Sequence, residues 1–288
     1  MPFHRTRHPA GHSFPLFATA ALAAAYVLAA PAPALAETHA TCAGFIDALP
    51  ATITRQGVWC LRKDLSTNIA SGVAIAVGVN NVTIDCNGYK IGGLAAGAGS
   101  YATGVHAHGR ANITVRGCNL RGFSLGITLD GTGHLVEDNR LVGSLQTAVY
   151  VSGSDNVVRG NFITDTGGLS WGADGQAIHA AADIIDNRID GVTGAGDGRA
   201  AIGIVATGVC AVVRGNTVRG LVPGAGGNGI GLIATPAGIR IEDNHLIGTA
   251  GSGNGLVGPG GDTFCLHNSV RGFTVPAVGC GTSTGNAF

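Results

Sequence analysis

Residues 126–143 read GITLDGTGHLVEDNRLVG, and residues 148–165 read AVYVSGSDNVVRGNFITD. Each stretch holds short runs in which apolar and polar residues alternate, the signature of half-buried strands. An asparagine, Asn139 or Asn161, stands between the last two runs. Working outward, the same block returns as IDCN, IIDN, VRGN, IEDN and CLHN, which adds Asn87, Asn187, Asn216, Asn244 and Asn268. Cys118 occupies an eighth such position, in VRGCNLRG, and successive positions lie 31, 21, 22, 26, 29, 28 and 24 residues apart. Three residues before them come Ile84, Val115, Val136, Val158, Ile184, Val213, Ile241 and Cys265. A further apolar position leads most units: Ile75, Ile127, Val149, Ile204, Leu232 and Leu256, with Val105 and Ile178 slightly out of step. A repeat of this length that cannot bury its apolar face alone must stack on its neighbours. The asparagine suits a tight turn, because Asn tolerates the left-handed region, and stacked asparagines can hydrogen-bond into a ladder.

Composition agrees with stacked strands. Glycine supplies 49 of 288 residues, against an average near 7%, and that much glycine opposes long helices. Charged residues are 12%, hydrophobic residues 45% and the net charge is zero, which excludes charged disorder. Without a basic excess, no nucleic-acid partner is expected.

The units GITLDGTGHLVEDNRLVG and AVYVSGSDNVVRGNFITD, with GVWCLRKDLSTNIASGVAIAVGVNNVTIDCNGYKIGG at 57–93, resemble right-handed parallel β-helix repeats. The type is that of the pectate-lyase-like superfamily, with its carbohydrate-binding and sugar-hydrolase members. The resemblance covers residues 57–273 and implies an all-β, single-stranded helix of about eight coils with an asparagine ladder. It also implies a ligand groove along the outer face of the first sheet. A leucine-rich repeat fits less well, since leucine is sparse and nothing between the units reads as a helix. The N-T-D, G-H-G and R-I-K set of polygalacturonases and the D-P-H-E of alginate epimerases are absent. Nor is the calcium-plus-arginine cluster of pectate lyases recognisable.

At the N-terminus, Arg5 and Arg7 precede an apolar run from Leu16 to Ala30 and an A-x-A site at Ala34–Ala36. This pattern is that of a signal peptide over 1–36, with export to the periplasm or medium as its consequence. Residues 37–56 then form an N-terminal cap, with CAGFIDAL at 42–49 reading as a short amphipathic helix, and 274–288 a C-terminal cap or tail. Once the leader is removed, no membrane contact is expected, and the chain is expected to be a monomer. An oxidising compartment permits disulfides. Cys42–Cys60 and Cys265–Cys280 are candidate cap bridges, Cys86 and Cys118 either bridge or stack, and Cys210 is left as a buried thiol.

The variable segments 92–103, 165–175, 192–201 and 222–228 all fall between the third strand of one unit and the first of the next. Loops gathered on one side make a wall beside the first sheet, where binding residues commonly sit. The outward column of that sheet reads Ala76, His106, Thr128, Tyr150, His179, Val205, Ile233 and Val257. Two residues further lie Gly78, His108, Asp130, Ser152, Ala181, Thr207, Thr235 and Pro259. Polar groups thus concentrate on a few successive coils. A carboxylate beside an imidazole orients it, so His108 and Asp130, with Tyr150 and His179, form a candidate catalytic set. They could abstract the C5 proton of a uronate and return one to the leaving oxygen. His106, Thr128, Ser152 and Trp171 are candidate substrate-binding residues, the indole being placed near Tyr150 and His179. No metal or cofactor is called for. The expected partner is a polysaccharide, either cleaved or only bound by a non-catalytic surface or matrix module.

Overall fold

A computed structural model describes residues 41–288, the side chains of 250–252 excepted. The leader expected over 1–36 lies outside the described residues. The described chain is an all-β parallel solenoid of about nine turns. Every strand pairing between successive turns is parallel, along three faces, the first, second and third sheets, of which the first and third join where strand His245–Val257 runs through both. Apolar columns read from the repeat become its core. On the first sheet, Ile75, Val105, Ile127, Val149, Ile178, Ile204, Leu232 and Leu256 lie in one register and are fully buried. Val115, Val136, Val158, Ile184, Val213 and Ile241 do the same on the second sheet, and Leu120, Leu141, Ile163, Ile189, Val218 and Leu246 on the third. Each such aliphatic side chain contributes roughly 1.5–3 kcal/mol on burial. Three inward stripes per turn therefore suffice to hold a chain so poor in aromatic residues.

The asparagine ladder runs from Asn139 to Asn286. In each unit the amide Nδ2 donates to a second-strand carbonyl of the preceding turn, as Asn187 does to Val158 at 2.9 Å. Its Oδ1 meanwhile accepts from the backbone N and Nδ2 of the asparagine before it, as Asn187 does from Asn161 at 3.0 and 2.9 Å. Buried backbone groups at the turn are thereby paired, which is what burial requires of them. Two expectations change here. Within the ladder the left-handed residue is the one preceding the asparagine: Asp138, Asp186, Asp243 and His267 have φ between 54° and 56°, whereas Asn87, at φ 48°, is itself left-handed. Also, Asn87 does not join the ladder. The turn between Asp85 and Lys90 has two more residues than its neighbour between Arg116 and Asn119, so Asn87 is carried outward and exposed. A Cys86–Cys118 disulfide fills the space instead.

At the N-terminal end, the helix expected over 42–49 is absent. Gly44–Phe45 is a strand paired parallel with Gly57–Cys60, Gly44 opposite Trp59 and Phe45 opposite Cys60. The Cys42–Cys60 disulfide holds it there, and Ile46 N donates to Cys60 O at 2.9 Å. An eight-residue helix has too few bonds to offset its nucleation, whereas an open strand edge offers backbone partners at once. A turn built on Ala51–Ile53, Gly57–Cys60 and Leu65–Ser66 adds one to the eight read from sequence. At the other end Ser269–Val278 and Thr282–Thr284 continue the sheets, and the Cys265–Cys280 bridge ties them back. Three disulfides mark an oxidising environment. Cys210 is exposed rather than buried. It sits at φ 56° in the turn 207–211 between strands Ala201–Ala206 and Val212–Arg214. Among the described residues, no helix is long and apolar enough to cross a membrane.

Candidate functional site

The candidate residues meet on the outer face of the first sheet. Its strands Thr103–Ala111, Leu125–Thr132, Thr147–Ser154 and Gly175–Ala180 stack in parallel, which puts His106, Thr128, Tyr150 and His179 in one file. The next outward file holds Asp130 opposite Ser152. A bulge between Leu129 and Gly131 gives the facing strand an extra residue, so both His108 and Gly109 confront Asp130. Bulges re-aim side chains in this way. Beyond the bulge the strands approach closely: a Cβ on Gly131, at φ 138°, would lie 1.8 Å from Arg110 O, so glycine alone fits there.

Asp130 is the hub of this face. Ser152 Oγ donates to its Oδ1 at 2.7 Å, Gly109 N donates to its Oδ2 at 3.1 Å, and His108 Nδ1 lies 3.0 Å from Oδ2. The Ser152 hydroxyl first, then the Gly109 N–H and the neighbouring imidazoles, hold its carboxyl below the usual carboxylate range. Asp130 is thus an orienting anion, and with Nδ1 turned toward it His108 presents Nε2 to solvent; its side chain is 80% exposed. The ring of His106 runs parallel to that of His108, 6.5 Å away. Burial, followed by the charge of His108, pushes the pKa of His106 down against the pull of Asp130. Tyr150 and His179 meet edge to face at 5.1 Å, and His179 Nδ1 lies 3.0 Å from Gln176 Oε1. Burial lowers the pKa of His179 also. Thr128, between His106 and Tyr150 in register, keeps its Oγ1 buried without a partner.

Seven of the eight candidates therefore share one face. Trp171 does not join them: it stacks on Tyr101 at 3.6 Å, and Tyr150 finds His179 instead. The insertions explain this placement. Ser170 N bonds Ala98 O at 3.1 Å, which brings the loop after Gly167 against the loop before Thr103, across two turns with short connections. Ala173 and Ala195 then exchange backbone bonds, Gly194 bonds Val222, and Gly198 bonds Ala225. The loops thus form a continuous wall beside the sheet, made largely of backbone.

One contributor escaped sequence reasoning. His134 is fully buried just before strand Leu135–Glu137, where its neighbour on the next turn has Asn156. Its Nδ1 accepts from Ile113 N at 3.3 Å and its own N donates to Asn156 Oδ1 at 2.8 Å, making a second, shorter ladder behind Asp130. Burial pushes the pKa of His134 down. A polar residue standing directly before the second strand in four successive units (Asn81, Asn112, His134, Asn156) was the available signal. A cleft of about 480 Å³ lies elsewhere, at the turn joining the first and second sheets. Asp155, Asp183, Thr207 and Cys210 are among its lining, and none of the eight candidates is. Among the described residues, no cluster of three or more His, Cys, Asp or Glu side chains could hold a metal ion.

A family model described as "right handed beta helix region" matches residues 103–275, more than half of the chain. The chain belongs to the right-handed β-helix family. No curated protein and no solved structure matches it. Membership in the right-handed β-helix family accounts for the stacking, the ladder and the open first-sheet face, while chemistry has to be argued from the residues on that face.

Proposed function

We propose that this exported β-helix protein binds an extended acidic polysaccharide on the open face of its first sheet and cleaves it by β-elimination. The observation that carries the reading is the chain Ser152–Asp130–His108 set beside the Tyr150–His179 pair on adjacent turns. With Nδ1 facing the carboxylate, His108 Nε2 takes the C5 proton of a uronate. The electron pair left on C5 forms the C4–C5 double bond, the C4–O4 bond breaks, and O4 takes a proton from Tyr150, against whose ring His179 packs. His106 and Ser152 hold hydroxyl or carboxylate groups of the chain, and Thr128, its Oγ1 buried, shapes the same face between them. The three disulfides support export, for which the leader over 1–36 supplies the route.

The openness of the face, with His108 largely solvated, favours a second reading as a non-catalytic binding module. Incubation with a panel of polyuronides, followed at the ultraviolet absorbance of unsaturated uronate, separates the two. Product from one member, reduced about 10²–10⁴-fold in His108→Ala as expected for loss of a general base, supports the lyase. No product from any member, with glycan binding intact, leaves only the module.

A further inference from the structure

We infer that Tyr101 and Trp171 form an aromatic ledge on the insertion wall that takes the apolar face of a hexopyranose ring, as a subsite separate from the His–Asp face. This inference rests on the glycan reading above. Both residues come from insertions, not from the repeat, and they originate on loops three turns apart that are joined by the Ser170–Ala98 bond. Their rings stack at 3.6 Å with 24° between planes, yet Tyr101 remains 59% and Trp171 43% exposed. Aromatic side chains normally contribute by burying surface, so a preformed pair left open on a wall is a surface awaiting a cover.

Size and chemistry select the cover. A large aromatic carries about 150–250 Å², so the open area of the pair is on the order of 200 Å², well below the roughly 800 Å² each partner buries in a standard protein interface. A single sugar ring is of the right scale. The loops alongside are glycine-rich backbone with Ser170 and Asp174, and Asp174 Oδ1 already accepts from Ala200 N at 2.8 Å. Such a rim offers hydrogen bonds to ring hydroxyls and little charge. Held at both the ledge and the sheet face, the ligand must be an oligosaccharide of several residues; a monosaccharide cannot reach both.

The test uses the full exported chain and a panel of soluble neutral and acidic polysaccharides, read by affinity electrophoresis and calorimetry. Tyr101→Ala and Trp171→Ala are expected to weaken binding of the recognised glycan at least tenfold, with unchanged circular dichroism and melting temperature. Tyr101→Phe, which keeps the ring, is expected to bind like the wild type. In Trp59→Phe, where Trp171 is the sole indole, the emission should shift as that glycan is added. If the wild type binds and both alanine variants bind equally well, the ledge is refuted while the glycan reading stands. If the wild type binds nothing on the panel, both fall together.

Discussion

Ser152 and Asp130 sit opposite each other on adjacent turns, joined by a 2.7 Å hydrogen bond that aims the carboxylate at His108. The hydroxyl is the largest cause of the depressed carboxyl pKa of Asp130. A group ionised more readily in the folded state contributes stability above its unfolded pKa, near 3.9, and that contribution disappears as pH falls through the folded value. Ser152→Ala should therefore move the Asp130 titration toward the ordinary carboxylate range, as followed by carboxyl carbon NMR. A titration curve that stays where it was would transfer the role to Gly109 N–H.

Histidine protonation should work against the fold in mild acid. His106, His134 and His179 all have lowered pKa values, with burial as the leading cause. The unfolded chain binds their protons near pH 6.5, the folded chain only at lower pH. Their stabilising contribution is complete above about pH 6.5 and is lost as pH drops below it. The melting temperature should decline between pH 7 and pH 5. His134→Asn, which copies Asn156 on the next turn, should flatten that decline, and an unaltered slope would exonerate His134.

Removing a rung from the middle of the ladder should be severe. Asn187→Ala removes the acceptor of Asn161 N and the donor to the Val158 carbonyl, while Asn161 Nδ2 keeps Val136 O. A buried polar group left unpaired costs about 1–3 kcal/mol, so a loss of about 3 kcal/mol is expected in urea unfolding. A change under 1 kcal/mol would mean that water replaces the amide.

Cys118 stands where the ladder would otherwise begin, and its N donates to Asn139 Oδ1 at 3.0 Å. Its bridge to Cys86 spans 32 residues, a loop whose closure stabilises by about 3–4 kcal/mol in the chain-entropy account. The double variant Cys86→Ala/Cys118→Ala should lose that amount in thermal unfolding. Cys86→Ala/Cys118→Asn should regain part of it by extending the ladder one turn. Equal melting of the two variants would show that position 118 cannot accept a rung.

The repeat was legible because inward positions obey a strict rule: each column of Ile, Val and Leu must face the axis on every turn. The files His106–Thr128–Tyr150–His179 and Asp130–Ser152 followed from that rule alone, since a parallel stack copies register from turn to turn. Where the rule lapses, the reading lapsed with it. CAGFIDAL has helical periodicity, but a neighbouring strand edge and the Cys42–Cys60 bridge outweigh it. Two added residues displaced Asn87, and a wide turn exposed Cys210. Trp171 lies in an insertion, whose path is set by contacts with another insertion, so no periodicity could have paired it with Tyr101.

The three disulfides lie at 42–60, 86–118 and 265–280, leaving the turns between Cys118 and Cys265 without a covalent tie. Pulled from its two ends, such a stack should come apart by unwinding its middle turns first. Each turn there holds between 21 and 29 residues, so at about 3.3–3.6 Å per extended residue it releases roughly 70–105 Å of slack. The bridged ends stay short throughout, so any extension comes from the middle turns alone.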